Sequence, residues 1–251
     1  MRCLAIVALV GLGPLLVASD ASAQKAATSA PQVKAVYELY TSQGCSSCPA
    51  ADAVLARLVK RDDVIALTLP VDIWDYLGWR DTLARPEFSD RLRAYAKALG
   101  DGMVYTPQAV VSGLIQVNAS SEDKIEGAIA KTAMPFAASR VPVGLSAKKG
   151  HLLIDVAAAP DGVQVKEATV WLAAIATSVE VPIARGENQG RTAVYFNVVR
   201  RLIPIGTWNG TKMVVKLDRH SFMAADADRC AVLLQQGQGG PIVGAALIDG
   251  I

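Results

Sequence analysis

Hydrophobic patterning divides the chain into a first half of alternating strands and helices and a second half of strands. Residues 33–40 are rich in β-branched and aromatic side chains, which predicts a strand. Residues 45–60 repeat apolar side chains at i, i+1, i+4 and i+5 from Val54, as a helix packed along one face does. Residues 64–71 are almost continuously apolar, as expected of a strand covered on both faces. This order predicts a parallel βαβ unit with a right-handed crossover.

The first half continues with two more helices and a hairpin. A helix is predicted over residues 85–99, because Pro86 suits its first turn and Gly100 its end. The other elements are a hairpin of residues 108–111 and 114–117 and a helix from residue 120 to about residue 131. The predicted order of the first half is therefore β-α-β-α-β-β-α.

The second half has short apolar runs, separated by clusters of Gly, Pro, Asn and Asp. These runs are residues 152–156, 168–175, 192–199, 213–217 and 230–234. Spacing of this kind predicts a mainly antiparallel, sandwich-like β domain over residues 141–251. Two prolines within residues 134–142 mark the predicted hinge between the halves.

Residues 1–23 have the features of a cleaved signal peptide. Arg2 supplies a positive charge, residues 4–18 are apolar, and the small residues before Gln24 predict cleavage after Ala23. The apolar run is short and broken by glycines and a proline, so an uncleaved membrane anchor is the weaker alternative. We therefore expect a periplasmic or secreted protein, with residues 24–32 as a disordered leader and no stable membrane span after processing.

The charge balance limits the classes of partner. With 25 basic and 23 acidic side chains, the chain is almost neutral and has no block of like charge. This argues against a nucleic-acid partner and against an electrostatic membrane patch. The oligomeric state stays open.

The candidate chemistry lies in a dithiol, Cys45-Ser46-Ser47-Cys48, between the first strand and the first helix. Two cysteines at this spacing can close a disulfide, Cys45–Cys48. The helix start favours a thiolate at Cys45, whose pKa in such motifs falls to about 3.5–7.5. Cys45 would then attack a substrate disulfide and Cys48 would resolve the mixed disulfide.

Other uses of the cysteines stay open. The pair could be a purely structural disulfide, as exported domains often have. A zinc site lacks ligands, because the chain has no second cysteine pair and its only histidines, His151 and His220, lie in the second half. A soft-metal or copper site at the two thiolates ranks last for the same reason. No metal or cofactor is therefore predicted, and Cys230, within an apolar run, is predicted to be a small buried hydrophobe.

Residues 38–52, which contain the motif TSQGCSSCP, resemble the signature of an uncharacterised secreted bacterial family of the thioredoxin-like superfamily. Residues 71–79 and 104–108 resemble its other blocks, and the similarity extends over residues 33–200. At Pro70 the chain departs from the family pattern, which often has histidine there. The resemblance implies an α/β thioredoxin-like domain over residues 33–137, followed by the β-rich domain, and leaves the substrate open.

The resemblance also implies roles for Pro107, Thr106 and Glu38, and the two tryptophans after the second strand are further candidates from the sequence itself. Pro107 would be a cis-proline facing the dithiol, with Thr106 tuning the substrate groove. Glu38 would be a buried acid that passes protons to or from the resolving cysteine, the alternative being a solvated glutamate. Trp74 and Trp79 would line the groove, or would pack their loop onto the domain.

Together these features predict an exported thiol-disulfide oxidoreductase that acts on protein or small-molecule thiols and disulfides without a bound cofactor. The alternative is a non-enzymatic binding or assembly factor with a structural disulfide. Residues 186–191 form a glycine-flanked turn. A sharp hairpin is its expected structure, and the sequence suggests no chemistry for it.

Overall fold

The computed structural model describes residues 32–100, 102–162 and 166–251. The predicted signal peptide, with its cleavage point, and all but the last residue of the predicted leader lie outside the described residues. Residues 31–251 form one compact unit. No helix of the described part is both long and apolar enough to cross a membrane.

The first half contains four strands and three α-helices among the described residues. They are β1 (Ala35–Thr41), α1 (Cys48–Leu58), β2 (Val64–Pro70), a 3-10 turn (Asp75–Leu77), α2 (Pro86–Leu99), β3 (Gln108–Val111), β4 (Ile115–Asn118) and α3 (Glu122–Ser139). The second half has β5 (Val143–Lys148), β6 (His151–Val156), β7 (Ala168–Pro182), β8 (Thr192–Trp208), β9 (Met213–Asp218), α4 (Arg219–Phe222), β10 (Arg229–Gln236) and β11 (Ile242–Asp249).

The fold is mixed α/β with one large, mainly antiparallel sheet and one small sheet. The large sheet has eight strands in the order β11-β10-β7-β8-β2-β1-β3-β4, and the small one has the order β5-β6-β9. β1 and β2 run parallel across α1, with pairs from Ala35–Val64 to Thr41–Pro70, so the predicted βαβ unit is confirmed. Both strands are buried along their whole length, as the continuous apolar run predicts.

The two halves of the chain share the large sheet, which differs from the sequence expectation of separate α/β and β regions. β2 pairs in parallel with β8 at Thr68 and Val198. Side chains reinforce the joint, because the Thr68 hydroxyl donates to the Phe196 carbonyl at 2.7 Å and the Asn197 amide donates to the Ala66 carbonyl at 2.9 Å. The predicted limits 33–137 and 141–251 therefore do not correspond to separate sheets.

The sandwich expectation for residues 141–251 is met only in part. The small sheet packs against the large one through a shared core, to which β6 contributes Ile154, β7 Val170 and β10 Val232. The strands β7, β8, β10 and β11, however, extend the sheet of the first half. Strand patterns specify which side chains are buried and leave the identity of the neighbouring strand open.

Helix α3 runs through the predicted hinge. It ends at Ser139, and Pro135 lies inside it, whereas the sequence predicted an end near residue 131. Phe136 is only 1% exposed and packs in the core beside Phe88 of α2. The burial of this ring keeps the last turn docked although Pro135 cannot donate a hydrogen bond.

The central sheet separates two apolar cores. Val36 and Tyr40 of β1 face α2, while Tyr37 and Leu39 of β1 face α1 and α3. This alternation follows from the two-residue period of a strand. The alternation therefore determines which side chains of β1 lie on the side of α1, the helix that begins at Cys48.

Candidate functional site

The dithiol loop, residues 42–48, joins the end of β1 to the start of α1. Cys45 and Cys48 form the predicted disulfide, with their Cα atoms 5.4 Å apart. Cys45 is 7% exposed and Cys48 is fully buried, while Ser46 and Ser47 between them are exposed. Cys45 is therefore the cysteine that solvent can reach. The disulfide is consistent with an oxidising compartment.

A buried carboxylate fixes the backbone of the dithiol loop. Asp81 accepts a hydrogen bond from the Gln43 amide at 2.7 Å, and from the amides of Leu83 and Ala84 at 2.8 and 3.0 Å. Burial raises the pKa of Asp81, and these hydrogen bonds to its charged form oppose that rise. Asp81 thus ties the loop to the segment after the 3-10 turn.

Trp74 and Thr106 meet beside the dithiol loop. The Trp74 indole donates to the Thr106 hydroxyl at 2.7 Å. A Cβ atom at Gly44 would lie 3.3 Å from the Cβ of Trp74, so Trp74 approaches the loop closely at this glycine. The peptide bond between Thr106 and Pro107 is cis, as the resemblance implies. Tyr40 pairs with Gln108 across β1 and β3, which places Pro107 at the dithiol end of the sheet.

Trp79 also contacts the dithiol loop. Its indole donates to the Gln43 side-chain oxygen at 2.9 Å, and the Gln43 amide group donates to the Thr82 hydroxyl at 3.1 Å. Both indoles are half-buried and hold their loop to the domain, which favours the packing alternative for them. Their part in a substrate groove stays a prediction.

The turn between β7 and β8, residues 183–191, is called the hairpin tip, and it reaches back to the dithiol. Asn188 is 3% exposed and donates to the carbonyls of Gln43 and Cys45 at 3.0 and 2.8 Å. The Glu187 carboxylate accepts from the Ser46 amide at 3.2 Å. The sequence expectation of a turn without chemistry missed this contact, because its partners lie more than one hundred residues away along the chain.

The structure does not bring Glu38 to the dithiol, which corrects its expected role. Glu38 is fully buried, so the solvated alternative is also wrong. Its carboxylate accepts from Arg91 at 2.7 Å and from the Tyr95 hydroxyl at 2.5 Å, both on α2. The sheet lies between this pair and α1, because Glu38 faces the same side as Val36.

Asp52 is the acidic side chain that the structure places on the dithiol helix. It lies one turn after Cys48 and accepts from the Thr41 hydroxyl at 2.8 Å. Burial raises the pKa of Asp52 from 3.8 to about 7, although the Thr41 hydrogen bond opposes this. Asp52 is the last residue of the motif segment, and sequence reasoning did not single it out.

Beside Asp52 lies a cavity of about 300 Å³ between α1 and the β7–β8 hairpin. Its lining includes Pro49, Asp52, Ala56, Asn188, Arg191 and Tyr195. The cavity gives solvent a route to the Asp52 carboxyl group. Within the described residues, no group of three or more His, Cys, Asp or Glu side chains could hold a metal ion.

We expect Asp52→Asn to stabilise the protein more at pH 8 than at pH 5. The raised pKa means that the folded state holds this proton more tightly than the unfolded chain, so stability falls between pH 3.8 and about 7. Asparagine keeps the oxygen that accepts from Thr41 and removes the ionisation. The wild type should lose about 2–3 kcal/mol more than the variant between pH 5 and pH 8 in urea unfolding. An equal pH dependence of both proteins would contradict the raised pKa.

Cys230 is a free, fully buried thiol on β10, as the apolar run predicts. Burial raises its pKa to about 12. A thiol of this kind is a poor nucleophile near neutral pH.

Fold and site together define a two-sheet, mixed α/β protein with a disulfide at the start of a helix. Residues 36–235 match the sequence profile of DUF1223, described as a protein of unknown function, and the chain belongs to this family. The crystal structure of protein AGR_C_4864 from Agrobacterium tumefaciens is 34% identical, with a TM-score of 0.76, over 88% of this chain and 96% of that one.

A second solved structure shares the fold alone. HBP35 of Porphyromonas gingivalis is 12% identical, with a TM-score of 0.61, over 87% of this chain and 76% of that one. No curated protein shows significant similarity to the chain.

Proposed function

We propose that this protein is an exported thiol-disulfide oxidoreductase whose first half is a thioredoxin-like domain. The observation that carries the proposal is the unequal placement of the two sulfurs. Cys45, in the dithiol loop, keeps 7% of its surface exposed, whereas Cys48 is fully buried in the first turn of α1. A nucleophile that substrates can reach and a resolving thiol behind it are what disulfide exchange requires.

The exchange cycle follows from this placement. The reduced Cys45 thiolate attacks one sulfur of a substrate disulfide, forms a mixed disulfide and expels the other substrate sulfur as a thiolate. Cys48 loses its proton and attacks the Cys45 sulfur, which closes Cys45–Cys48 and releases the second substrate thiol. Two electrons pass to the substrate, and an external dithiol returns the pair to its reduced form.

Asp52 supports the resolving step as a proton-holding group. It lies on the same face of α1 as Cys48, one turn along, where side chains four residues apart are neighbours. A carboxyl group that titrates near neutral pH is matched to accepting a thiol proton. We therefore propose Asp52, in place of Glu38, as the acid near the dithiol.

Export is supported by the apolar run of residues 4–18, the small residues that end at Ala23, and the disulfide. The proposed compartment is the periplasm or the exterior. The proposed substrates are protein or small-molecule disulfides, because Cys45 is followed by two exposed serines, Ser46 and Ser47.

We expect Cys48→Ala to accumulate mixed disulfides on Cys45. In the protein from Gln24 onward, which lacks Cys3, and in a Cys230→Ala background, the reduced variant is incubated with glutathione disulfide and intact mass is followed over time. Cys48→Ala should retain one glutathione, because the resolving thiol is gone. The protein with both dithiol cysteines should release it and close its own disulfide.

Cys45→Ala is the matched control, since its remaining thiol is buried and should form little adduct. More adduct on Cys45→Ala than on Cys48→Ala would reverse the two roles. If neither variant forms an adduct at a rate above that of an unfolded cysteine peptide, the disulfide is a structural staple and the proposal fails.

A further inference from the structure

The hairpin tip brings a negative charge to the start of the dithiol helix. The Glu187 carboxylate accepts from the amide of Ser46, next to Cys45 and just ahead of α1. Asn188 fixes the tip in this place through its two hydrogen bonds to the dithiol loop, at 2.8 and 3.0 Å. The position of Glu187 is thus set by a buried neighbour.

We propose that Glu187 is a positioning residue that destabilises the Cys45 thiolate relative to its thiol and so biases the dithiol toward donating electrons. This inference rests on the proposed oxidoreductase function and adds a direction to it. A thiolate at a helix start is stabilised by unpaired amides and by the positive helix end. Glu187 occupies one amide of this region and places a negative charge at the residue that follows Cys45.

Charged groups of both signs lie around the dithiol loop. Asp81 binds the Gln43 amide from the segment after β2, and Asp52 lies on α1. Arg191, at the base of the hairpin tip, lines the cavity that also holds Asp52. The hairpin tip also carries Arg185, so the surroundings of the loop contain three carboxyl groups and two guanidinium groups, and Glu187 is the one bonded to the residue next to Cys45.

The bias toward donation follows from the energy of the reduced state. A dithiol whose thiolate is stabilised is a strong oxidant, because the reduced form is favoured. Destabilising the Cys45 thiolate favours the disulfide form of this protein, which makes its reduced form the better electron donor. The substrate disulfide gains the two electrons, and the external dithiol resupplies them.

The test uses Glu187→Gln, which keeps an oxygen for the Ser46 amide and removes the charge. In the protein from Gln24 onward that carries Cys48→Ala and Cys230→Ala, only Cys45 contributes a cysteine thiolate to the ultraviolet absorbance. We expect the midpoint pH of its titration to fall by about half a unit to one unit at low salt. In the full dithiol, measured at a pH above both midpoints, this three- to tenfold change should raise the reduction potential by about 15–30 mV.

Glu180→Gln is the matched control, because Glu180 is an exposed acid on β7 of the same hairpin. Glu180→Gln should leave the midpoint of the Cys45 titration and the reduction potential of the dithiol unchanged. High salt should reduce the effect of Glu187→Gln on both quantities. An unchanged or higher midpoint in Glu187→Gln would overturn the inference. The titration needs no substrate, so this failure is distinct from a failure to form mixed disulfides.

Discussion

Arg91→Met is expected to lower the free energy of unfolding by about 3–5 kcal/mol, because it leaves the buried Glu38 carboxylate without its cationic partner. Arg91 donates to Glu38 at 2.7 Å, to Gln235 at 2.8 Å and to the Tyr95 hydroxyl at 3.0 Å. The Arg91 side chain is 7% exposed and that of Glu38 is fully buried. Methionine fills much of the same volume, so the loss measured in urea unfolding would report the unpaired carboxylate.

The double variant Arg91→Met, Glu38→Leu is the control for this expectation. Removing both charges leaves the hydrogen bond from Gln235 to the Tyr95 hydroxyl, 2.9 Å, in place. Most of the lost stability should therefore return, as it does when buried ion pairs are replaced by apolar residues. If the double variant is as unstable as Arg91→Met, the network contributes more than charge pairing.

The same double variant tests the correction of Glu38. Because the sheet separates Glu38 from α1, thiol exchange at Cys45 should proceed at the wild-type rate in the folded double variant. A tenfold slower resolution of the mixed disulfide would restore the proton-transfer role that the sequence suggested.

Gly239→Ala is expected to destabilise the protein by about 2–4 kcal/mol, through a backbone clash added to an unfavourable φ. Gly239 has a φ of +73°, and a Cβ atom there would lie 2.5 Å from the carbonyl group of Ala94 in α2. The clash is with main chain, so no side-chain rotation relieves it. The turn between β10 and β11 would have to move away from α2.

Gly237→Ala separates these two causes. Gly237 lies in the same turn with a φ of +62°, and a Cβ atom there would meet nothing within 4 Å. Gly237→Ala should lower the free energy of unfolding by only about 1–2 kcal/mol, the cost of a positive φ for a residue with a Cβ atom. Equal losses for the two variants in urea unfolding would mean that the approach of Gly239 to α2 is not tight.

The sequence was sufficient for local elements and for the dithiol. The apolar stripe from Val54 predicts α1, and the apolar run of residues 64–71 predicts β2, because both patterns report burial directly. The end of α3 was missed, since Pro135 signals a break and the burial of Phe136 that overrides it depends on tertiary contacts.

The site was harder to predict where it depends on which face of a strand a residue takes. Glu38 lies on β1 close to the dithiol in sequence, yet strand alternation turns it toward α2. Thr41, three residues later, points to the other side and meets Asp52. A shift of one position along a strand exchanges its faces, so sequence proximity alone misassigned the acid.

Contacts between distant segments were beyond sequence reasoning. The pairing of β2 with β8, and the hydrogen bonds from Asn188 to the dithiol loop, join residues that no local pattern links. A glycine-flanked turn at residues 186–191 specifies a tight bend and carries no information on what the bend will touch.

Because the hairpin tip binds the dithiol loop, the motif segment alone does not contain everything that holds this loop in place. A fragment that ends before β7 would retain both cysteines and α1, but its loop carbonyls at Gln43 and Cys45 would lose the Asn188 amide. Its β2 would also present an open edge where β8 now pairs. Grafting residues 38–52 onto another scaffold would transfer the two sulfurs without the distant groups that hold their loop, so the structure of this loop depends on both halves of the chain.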